Sequence, residues 1–361
     1  MSDRKLGGMA VAERQLLRGN EVIAEAAIRA GCECYFAYPI TPQAELLEHM
    51  AANMERLGRT FVQAESEVAA ISMVYGAAAV GVRVMTSSSS PGISLKQEGI
   101  SYLAGSNLPA VIVNVVRGGP GLGNIAPSQC DYFQATKGGG HGDYHMIVLA
   151  PSTVPEAGEL TMLAFDLADR YLTPVMILAD GMLGQMMEPV ELPEAVDTSS
   201  LPPKEWATTG AKGRDPNIVL SFDLDPQVLK AMNLVLQEKY RRIEAAEVRY
   251  ETMEIDDAEI VIAAYGTIAR IAKTVVKQAR AEGLKVGLFR PITVWPFPYE
   301  PLRAIATRAE SVLTVEMSAG QMLEDVRLAV AERADTPFYG ELGGVVPTPR
   351  AILSEVRKHV G

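Results

Sequence analysis

Residues 38–50 read YPITPQAELLEHM. The stretch closes one apolar run, turns stiffly and opens a helix. Pro39 and Pro42 each fix φ and restrict the residue before them, so Thr41 is held between two rigid joints, more than a plain solvent connection requires. The segments on either side decide the fold. Upstream, NEVIAEAAIRAG (20–31) has apolar residues at helical spacing and a closing glycine, and CYFAY (34–38) is a short apolar run. Downstream, QAELLEHMAANMERLG is amphipathic, and TFVQA (60–64) starts the cycle again ahead of the helical ESEVAAISMVYGAAAVG.

The alternation continues. VRVMT (82–86) feeds SSSSPG and another helix, PAVIVNVVR (109–117) ends in a Gly-rich loop, MIVLA (146–150) precedes PSTVPEAGELTMLAFDLADRYL, and PVMILAD (174–180) closes the set. Six nearly all-apolar strands joined by helices predict an α/β fold whose parallel sheet has helices on both faces. In such sheets ligands sit beyond the carboxyl ends of the strands. From about 190 to 254 the pattern gives way to Pro-rich and polar sequence and a charged helix around NLVLQEKYRRIEAAEVRYE, and a second alternation begins at EIVIAAYG (259–266). The predicted organisation is a first domain over 1–190, a linker over 191–254 and a smaller α/β domain over 255–361.

The chain has 361 residues, 48% hydrophobic and 21% charged, an ordinary globular composition. A net charge of −11 spread in mixed-sign stretches leaves no basic surface for a phosphate backbone, which argues against nucleic acid. The opening MSDRKLGGMAVAERQLLRG has no signal-peptide apolar core, and no segment offers about 18 uninterrupted apolar residues, so a cytoplasmic protein without membrane contact is expected. Cys32, Cys34 and Cys130 form no C-x-x-C pair, and the histidines no H-E-x-x-H, so no metal or iron–sulfur site is expected on this chain. His141 and His145 lie in a Gly-rich loop where their spacing means little.

The polar residues gather at the strand ends: Thr41 in PITP, Glu65 and Glu67 in AESE, Ser87 to Ser90 before Pro91, Arg117 before GGPGLG. Glu67 falls in the first turn of a helix, where a carboxylate meets unpaired N–H groups; the apolar VAAISMVYGAAAVG behind it suggests burial as well. Arg117 follows an apolar strand, and its fork suits a carboxylate or phosphate; a structural ion pair is the alternative. The serine run lacks a G-x-S-x-G elbow and reads as a cap for the following helix. GGPGLGN is not a G-x-G-x-x-G fingerprint.

In order, GNEVIAEAAIRAG, YPITP, AESEVAAISMVYGAAAVG, TSSSSPG, VVRGGPGLG, HGD, VLAPSTVPEA, AYGTIARIAKTVV and LFRPITVWPFP resemble the alpha subunit of the 2-oxoacid:ferredoxin oxidoreductases, across nearly the whole chain. Within that family the connector PPKEWATTGAKGRDPNIVLSFDLDP is similar to the separate alpha subunit of the four-chain, branched-chain (2-oxoisovalerate) enzymes; the 2-oxoglutarate and pyruvate types are the alternatives.

The resemblance implies a thiamin diphosphate fold, with a pyrimidine-type domain to about 190 and a transketolase C-terminal-like domain from about 255. It implies oxidative decarboxylation of a 2-oxoacid to acyl-CoA with electrons passed to ferredoxin. Position by position, Glu67 matches the glutamate that bonds the pyrimidine N1′, and Thr41 and Arg117 match the pair that holds the substrate carboxylate. Pro39, Ile40, Ser88 and Ser89 are expected to line the cofactor beside Glu67. The family's diphosphate half-site needs a G-D-G motif, whereas this chain has Ala179-Asp180-Gly181. The resemblance therefore assigns Mg²⁺ and diphosphate to a beta chain and [4Fe–4S] clusters to a ferredoxin-like delta chain, with a gamma chain completing the complex and coenzyme A as acyl acceptor. Two rival readings stand beside it: a nucleotide- or flavin-binding electron-transfer subunit without thiamin, and a structural scaffold whose polar strand ends are mere caps.

Overall fold

The computed structural model describes residues 14–360; most of the N-terminal stretch read above for a leader lies outside the described residues. The strands are β1 (Gln15–Arg18), β2 (Cys34–Ala37), β3 (Thr60–Gln63), β4 (Val84–Ser88), β5 (Ala110–Val116), β6 (Ile147–Leu149), β7 (Pro174–Asp180), β8 (Met187–Val190), β9 (Tyr250–Met253), β10 (Ile260–Ala263), β11 (Val286–Pro291), β12 (Thr293–Trp295), β13 (Ser311–Glu316) and β14 (Phe338–Gly340). The helices are α1 (Gly19–Arg29), α2 (Ala44–Asn53), α3 (Glu67–Ala79), α4 (Ser90–Gly105), α5 (Tyr132–Thr136), α6 (Val154–Tyr171), α7 (Gly181–Gln185), α8 (Pro226–Ala246), α9 (Gly266–Ala281), α10 (Tyr299–Ala306), α11 (Gln321–Val330) and α12 (Pro349–Val356).

A seven-stranded sheet carries the order β12-β6-β7-β5-β4-β2-β3. The six strands expected from the apolar runs are all there and run parallel. Every residue of β4, β5 and β7 is buried, so helices must cover both faces, which is why these strands are continuous apolar runs and not alternating ones. Helix α1 packs against α2 and α6, and α3 packs against α4.

The seventh strand comes from the second half of the chain. Thr293 and Trp295 of β12 pair antiparallel with Leu149 and Val148 of β6 and close that edge of the first sheet. The second half therefore lends a strand to the first. Its own five-stranded sheet is ordered β14-β13-β10-β11-β9, with only β9 antiparallel to its neighbour. Val261, Phe289 and Val294 share one apolar cluster with Val113 and Ile177 of the first sheet, so the halves pack through a common core. Gln129 stitches the junction. Its Nε2 donates to Tyr265 O, its Oε1 accepts from Met317 N and its N–H donates to Met317 O, each at 2.9 Å. Among the described residues no helix is long and apolar enough to cross a membrane.

Candidate active site

Strands β5, β4, β2 and β3 are consecutive neighbours in the sheet, so the chain leaving their carboxyl ends meets over one crevice. Arg117 leaves β5, Ser88 ends β4 and Ser89 follows it, residues 38–43 leave β2, and the turn after β3 delivers Glu67.

Glu67 is the first residue of α3. Ser66 caps that helix, its Oγ accepting from Ala69 N at 3.1 Å. The Glu67 side chain is thereby free of capping duty. It is 7% exposed, and no hydrogen bond or ion pair reaches its carboxylate from the described residues. A buried carboxylate without a protein partner is costly unless something else satisfies it. Gly92, in the first turn of α4, makes room for it: a Cβ there would stand 2.8 Å from Glu67 Oε1 and 2.0 Å from Ser88 Oγ. Only glycine lets α4 approach so closely.

The serine run does not act as the cap that its sequence suggests. Ser89 occupies the N-cap position of α4 but makes no side-chain cap bond. The Oγ atoms of Ser88 and Ser89 are both fully buried and without a partner among the described residues. Each orphaned hydroxyl costs about 1–3 kcal/mol, a cost that a bond to a ligand removes.

Arg117 is 7% exposed, and its guanidinium has no carboxylate partner among the described residues. Nη1 donates to Thr41 O at 2.9 Å and Nη2 to Leu122 O at 3.0 Å, while Nε is buried and unpartnered. The expected alternative of a structural ion pair is therefore not what the fold contains. Thr41 is exposed, and its hydroxyl makes no hydrogen bond among the described residues. Pro39 is exposed and Ile40 half-buried on the same turn. The first turn of α4 joins the two ends of the crevice: Ser90 Oγ accepts from Arg117 N at 3.1 Å and donates to Asp131 Oδ2 at 2.7 Å. Asn114 Nδ2 donates to the same oxygen at 2.8 Å.

Sequence reasoning missed Lys96. It lies one helical turn after Gly92, on the face of α4 turned to β4, and is fully buried. Its Nζ donates to Thr86 Oγ1 at 2.6 Å and to Ser87 O at 3.0 Å. Burial pushes its ammonium down to about 7 against the opposing pull of the Glu67 charge. The signal was present in its spacing from Ile93 and Ile100, which are both buried.

A cavity of about 640 Å³ opens beside this crevice, between the two halves, lined by Ser90, Pro91, Gly118, Asp131, Met317 and Gln321 among others. Elsewhere, His145 stacks on Trp295 with ring centroids 4.7 Å apart, and His141 is exposed. Cys32, Cys34 and Cys130 are free thiols, and among the described residues no three His, Cys, Asp or Glu side chains gather as a metal site.

Residues 25–255 match the family described as pyruvate flavodoxin/ferredoxin oxidoreductase, thiamine diP-binding. The chain belongs to this family. Residues 258–352 match the pyruvate:ferredoxin oxidoreductase core domain II. The chain is 53% identical to the ketoisovalerate oxidoreductase subunit VorB of Methanothermobacter marburgensis over 347 residues, 96% of this chain and 98% of that one. It is 37% identical to the 2-oxoglutarate synthase subunit KorA of Methanothermobacter thermautotrophicus, over 96% of this chain and 99% of that one. Among solved structures it resembles a 2-oxoglutarate:ferredoxin oxidoreductase from Magnetococcus marinus, solved with 2-oxoglutarate, coenzyme A and succinyl-CoA bound. That match has a TM-score of 0.86 and 26% identity; it covers 96% of this chain and 65% of that one. A split-gene transketolase, at a TM-score of 0.59 and 15% identity over 94% and 96% of the two chains, shares the fold.

The residues present fit one end of thiamin diphosphate. An aminopyrimidine offers a ring nitrogen and an exocyclic amine, which suit an unpartnered buried carboxylate, two orphaned hydroxyls and a glycine that clears the space between them.

Proposed function

We propose that this chain is the alpha subunit of a 2-oxoacid:ferredoxin oxidoreductase. It would hold the aminopyrimidine of thiamin diphosphate and the carboxylate of a branched-chain 2-oxoacid during oxidative decarboxylation to acyl-CoA and carbon dioxide. The reading rests chiefly on two buried side chains in one crevice, the Glu67 carboxyl without a donor and the Arg117 guanidinium without a carboxylate among the described residues.

When bound, thiamin diphosphate supplies a nucleophilic carbon and an electron sink. The chain's own residues orient and exchange protons. Glu67 bonds the pyrimidine N1′ and passes a proton there, and its burial strengthens that bond by excluding water. Arg117 presents its unused Nε–H, and Thr41 its hydroxyl, to the substrate carboxylate; because both already share the bond through Thr41 O, their geometry is set before binding. Pro39, Ile40, Ser88 and Ser89 line the cofactor. Leu122 and Ile125, 80% and 63% exposed on the loop after Arg117, offer an apolar surface that suits an aliphatic 2-oxoacid tail better than a second carboxylate.

The rest of the site belongs to partner chains. A beta subunit would grip Mg²⁺ and the diphosphate, a delta subunit would carry [4Fe–4S] clusters toward ferredoxin, and a gamma subunit would complete a complex working in the cytoplasm. Val68 and Met73 stand exposed on the helix that Glu67 begins, and Val80 just after its end, an apolar surface that a partner chain would cover. Coenzyme A would take the acyl group, with the cavity between the halves as its approach.

Purification and reconstitution test the reading. The isolated chain is expected to show no oxidoreductase activity, and the assembled complex to reduce a viologen dye with 2-oxoacid, coenzyme A and thiamin diphosphate, fastest with 2-oxoisovalerate in a substrate panel. Turnover by the chain alone, or none by the complex, contradicts the assignment.

A further inference from the structure

Asp131 stands at the start of α5, where an aspartate ordinarily caps the free N–H groups of its own helix. Its side chain makes no such bond. The carboxyl is turned toward α4 and β5 instead; the residue is 8% exposed, with no Lys, Arg or His partner among the described residues. Oδ2 accepts from Ser90 Oγ at 2.7 Å and from Asn114 Nδ2 at 2.8 Å. An acid withdrawn both from water and from its own helix needs a reason of another kind.

Both bonds lead to Arg117. A hydroxyl has one proton to give, and that of Ser90 goes to Asp131 at 2.7 Å in preference to Arg117 O at 3.3 Å. The Ser90 lone pairs are then left to accept from Arg117 N at 3.1 Å. Asn114 closes the ring, its Oδ1 accepting from Ser90 N at 3.1 Å while its Nδ2 holds Asp131. Ser90, Asn114 and Arg117 are all buried, so little water competes for these bonds. Asp131 thus sets which way the Ser90 hydroxyl faces, and the hydroxyl sets where the Arg117 backbone sits.

The anchor is itself fixed. On either side of Asp131 the chain is bound to the second half: Gln129 N donates to Met317 O at 2.9 Å, Gln321 Nε2 to Cys130 O at 2.7 Å, and Phe133 N to Gln321 Oε1 at 2.8 Å. Cys130 Sγ adds a bond to Arg117 O at 3.3 Å.

We infer that Asp131 is a positioning residue for the substrate-binding guanidinium: through Ser90 it fixes the backbone of Arg117, so that the unpartnered Nε–H keeps the place from which it meets the 2-oxoacid carboxylate. The far end of the Arg117 side chain is held by Thr41 O and Leu122 O, and its root by this network. A fork released at its root loses its aim even with its tip still tethered. Asp131 acts through Arg117, so the inference rests on the role proposed for Arg117.

The test is a double-mutant cycle. The 2-oxoacid KM of the assembled complex, saturated with thiamin diphosphate and Mg²⁺, is measured for Asp131→Ala, Arg117→Ala and the two combined. Asp131→Ala is expected to raise KM about tenfold, and to add less than about twofold once Arg117 is alanine, because its effect travels through that side chain. An unchanged KM in Asp131→Ala, or full additivity in the combined variant, overturns the inference. Asp131→Asn, whose Oδ1 can accept the same two bonds, is expected to stay within about threefold of wild type; a KM as high as that of Asp131→Ala overturns it too. Thiamin diphosphate affinity, read by calorimetric titration, separates this role from a general one in seating α4, whose Gly92 faces Glu67. It is expected to be unchanged in Asp131→Ala, and a loss as large as the rise in KM overturns the link to Arg117. Should Asp131→Ala not assemble, Ser90→Ala takes its place in the same cycle with the same outcomes. An unchanged KM in Arg117→Ala removes Arg117 from the substrate site itself, a failure of the proposed function that the cycle tells apart from a failure of the link to Asp131.

Discussion

Arg117 and Thr41 meet through a backbone carbonyl: Arg117 Nη1 donates to Thr41 O at 2.9 Å, across 76 residues of chain. The bond ties the end of β5 to the turn after β2, so the stiff PITP segment and the Gly-rich loop keep one spacing. Two residues proposed to hold one carboxylate are therefore preset relative to each other, and this relationship governs what their replacement should do.

Replacing Arg117 with Ala removes its unused Nε–H as well as the tether. The KM for the 2-oxoacid is expected to rise about ten- to a hundredfold, the worth of a lost charge-assisted hydrogen bond. Arg117→Lys keeps the charge but not the fork and should recover only part of the loss. Steady-state kinetics of the complex measure both, and an unchanged KM in the Ala variant reassigns Arg117 to structure.

Glu67→Gln preserves shape and leaves the Ser66 cap of α3 untouched. Assembly, followed by size-exclusion chromatography, should be normal, while turnover falls by about a hundredfold or more because an amide cannot exchange a proton at N1′. Near-normal turnover would falsify the assignment.

Gly92→Ala tests the close approach of α4. The added methyl would lie 2.0 Å from Ser88 Oγ and 2.8 Å from Glu67 Oε1, so something must shift. The expected stability cost is about 1–3 kcal/mol, and thiamin diphosphate affinity should drop by more than about tenfold, since the crowded atoms are those proposed to meet the pyrimidine. Differential scanning fluorimetry and a cofactor titration read the two effects separately. A fully retained affinity argues that the cofactor does not use this space.

Stability should depend on pH through Lys96. Its value in the folded chain lies near 7, below the ordinary 10.5, so between those limits the unfolded chain binds a proton that the folded one does not. Stability therefore rises with pH across this window, by about 1.4 kcal/mol per unit at most. The thiamin-free complex is expected to gain in melting temperature from about pH 7 to about pH 9 relative to its Lys96→Met variant. Parallel pH profiles for the two proteins count against a buried, titrating Lys96.

Much of this protein was legible in its sequence because the deciding signals are local. Apolar runs such as AVIVNVV and PVMILAD announce strands covered on both faces, and the rigid PITP turn and the acid at the start of α3 mark strand ends where a ligand belongs. Burial of side chains at fixed periods is written into neighbouring residues, so no fold is needed to see it. What neighbours cannot encode is which groups lack a partner once distant segments meet. The serines before Pro91 read as a cap, yet packing left Ser88 and Ser89 with buried, idle hydroxyls. Lys96 stands in no motif, and only the packing of α4 on β4 draws it out of water, just as β12 becomes part of the first sheet only when the second half folds back against β6. Desolvation and long-range pairing arise from contacts between elements far apart in the chain, and those contacts exist only in the folded molecule.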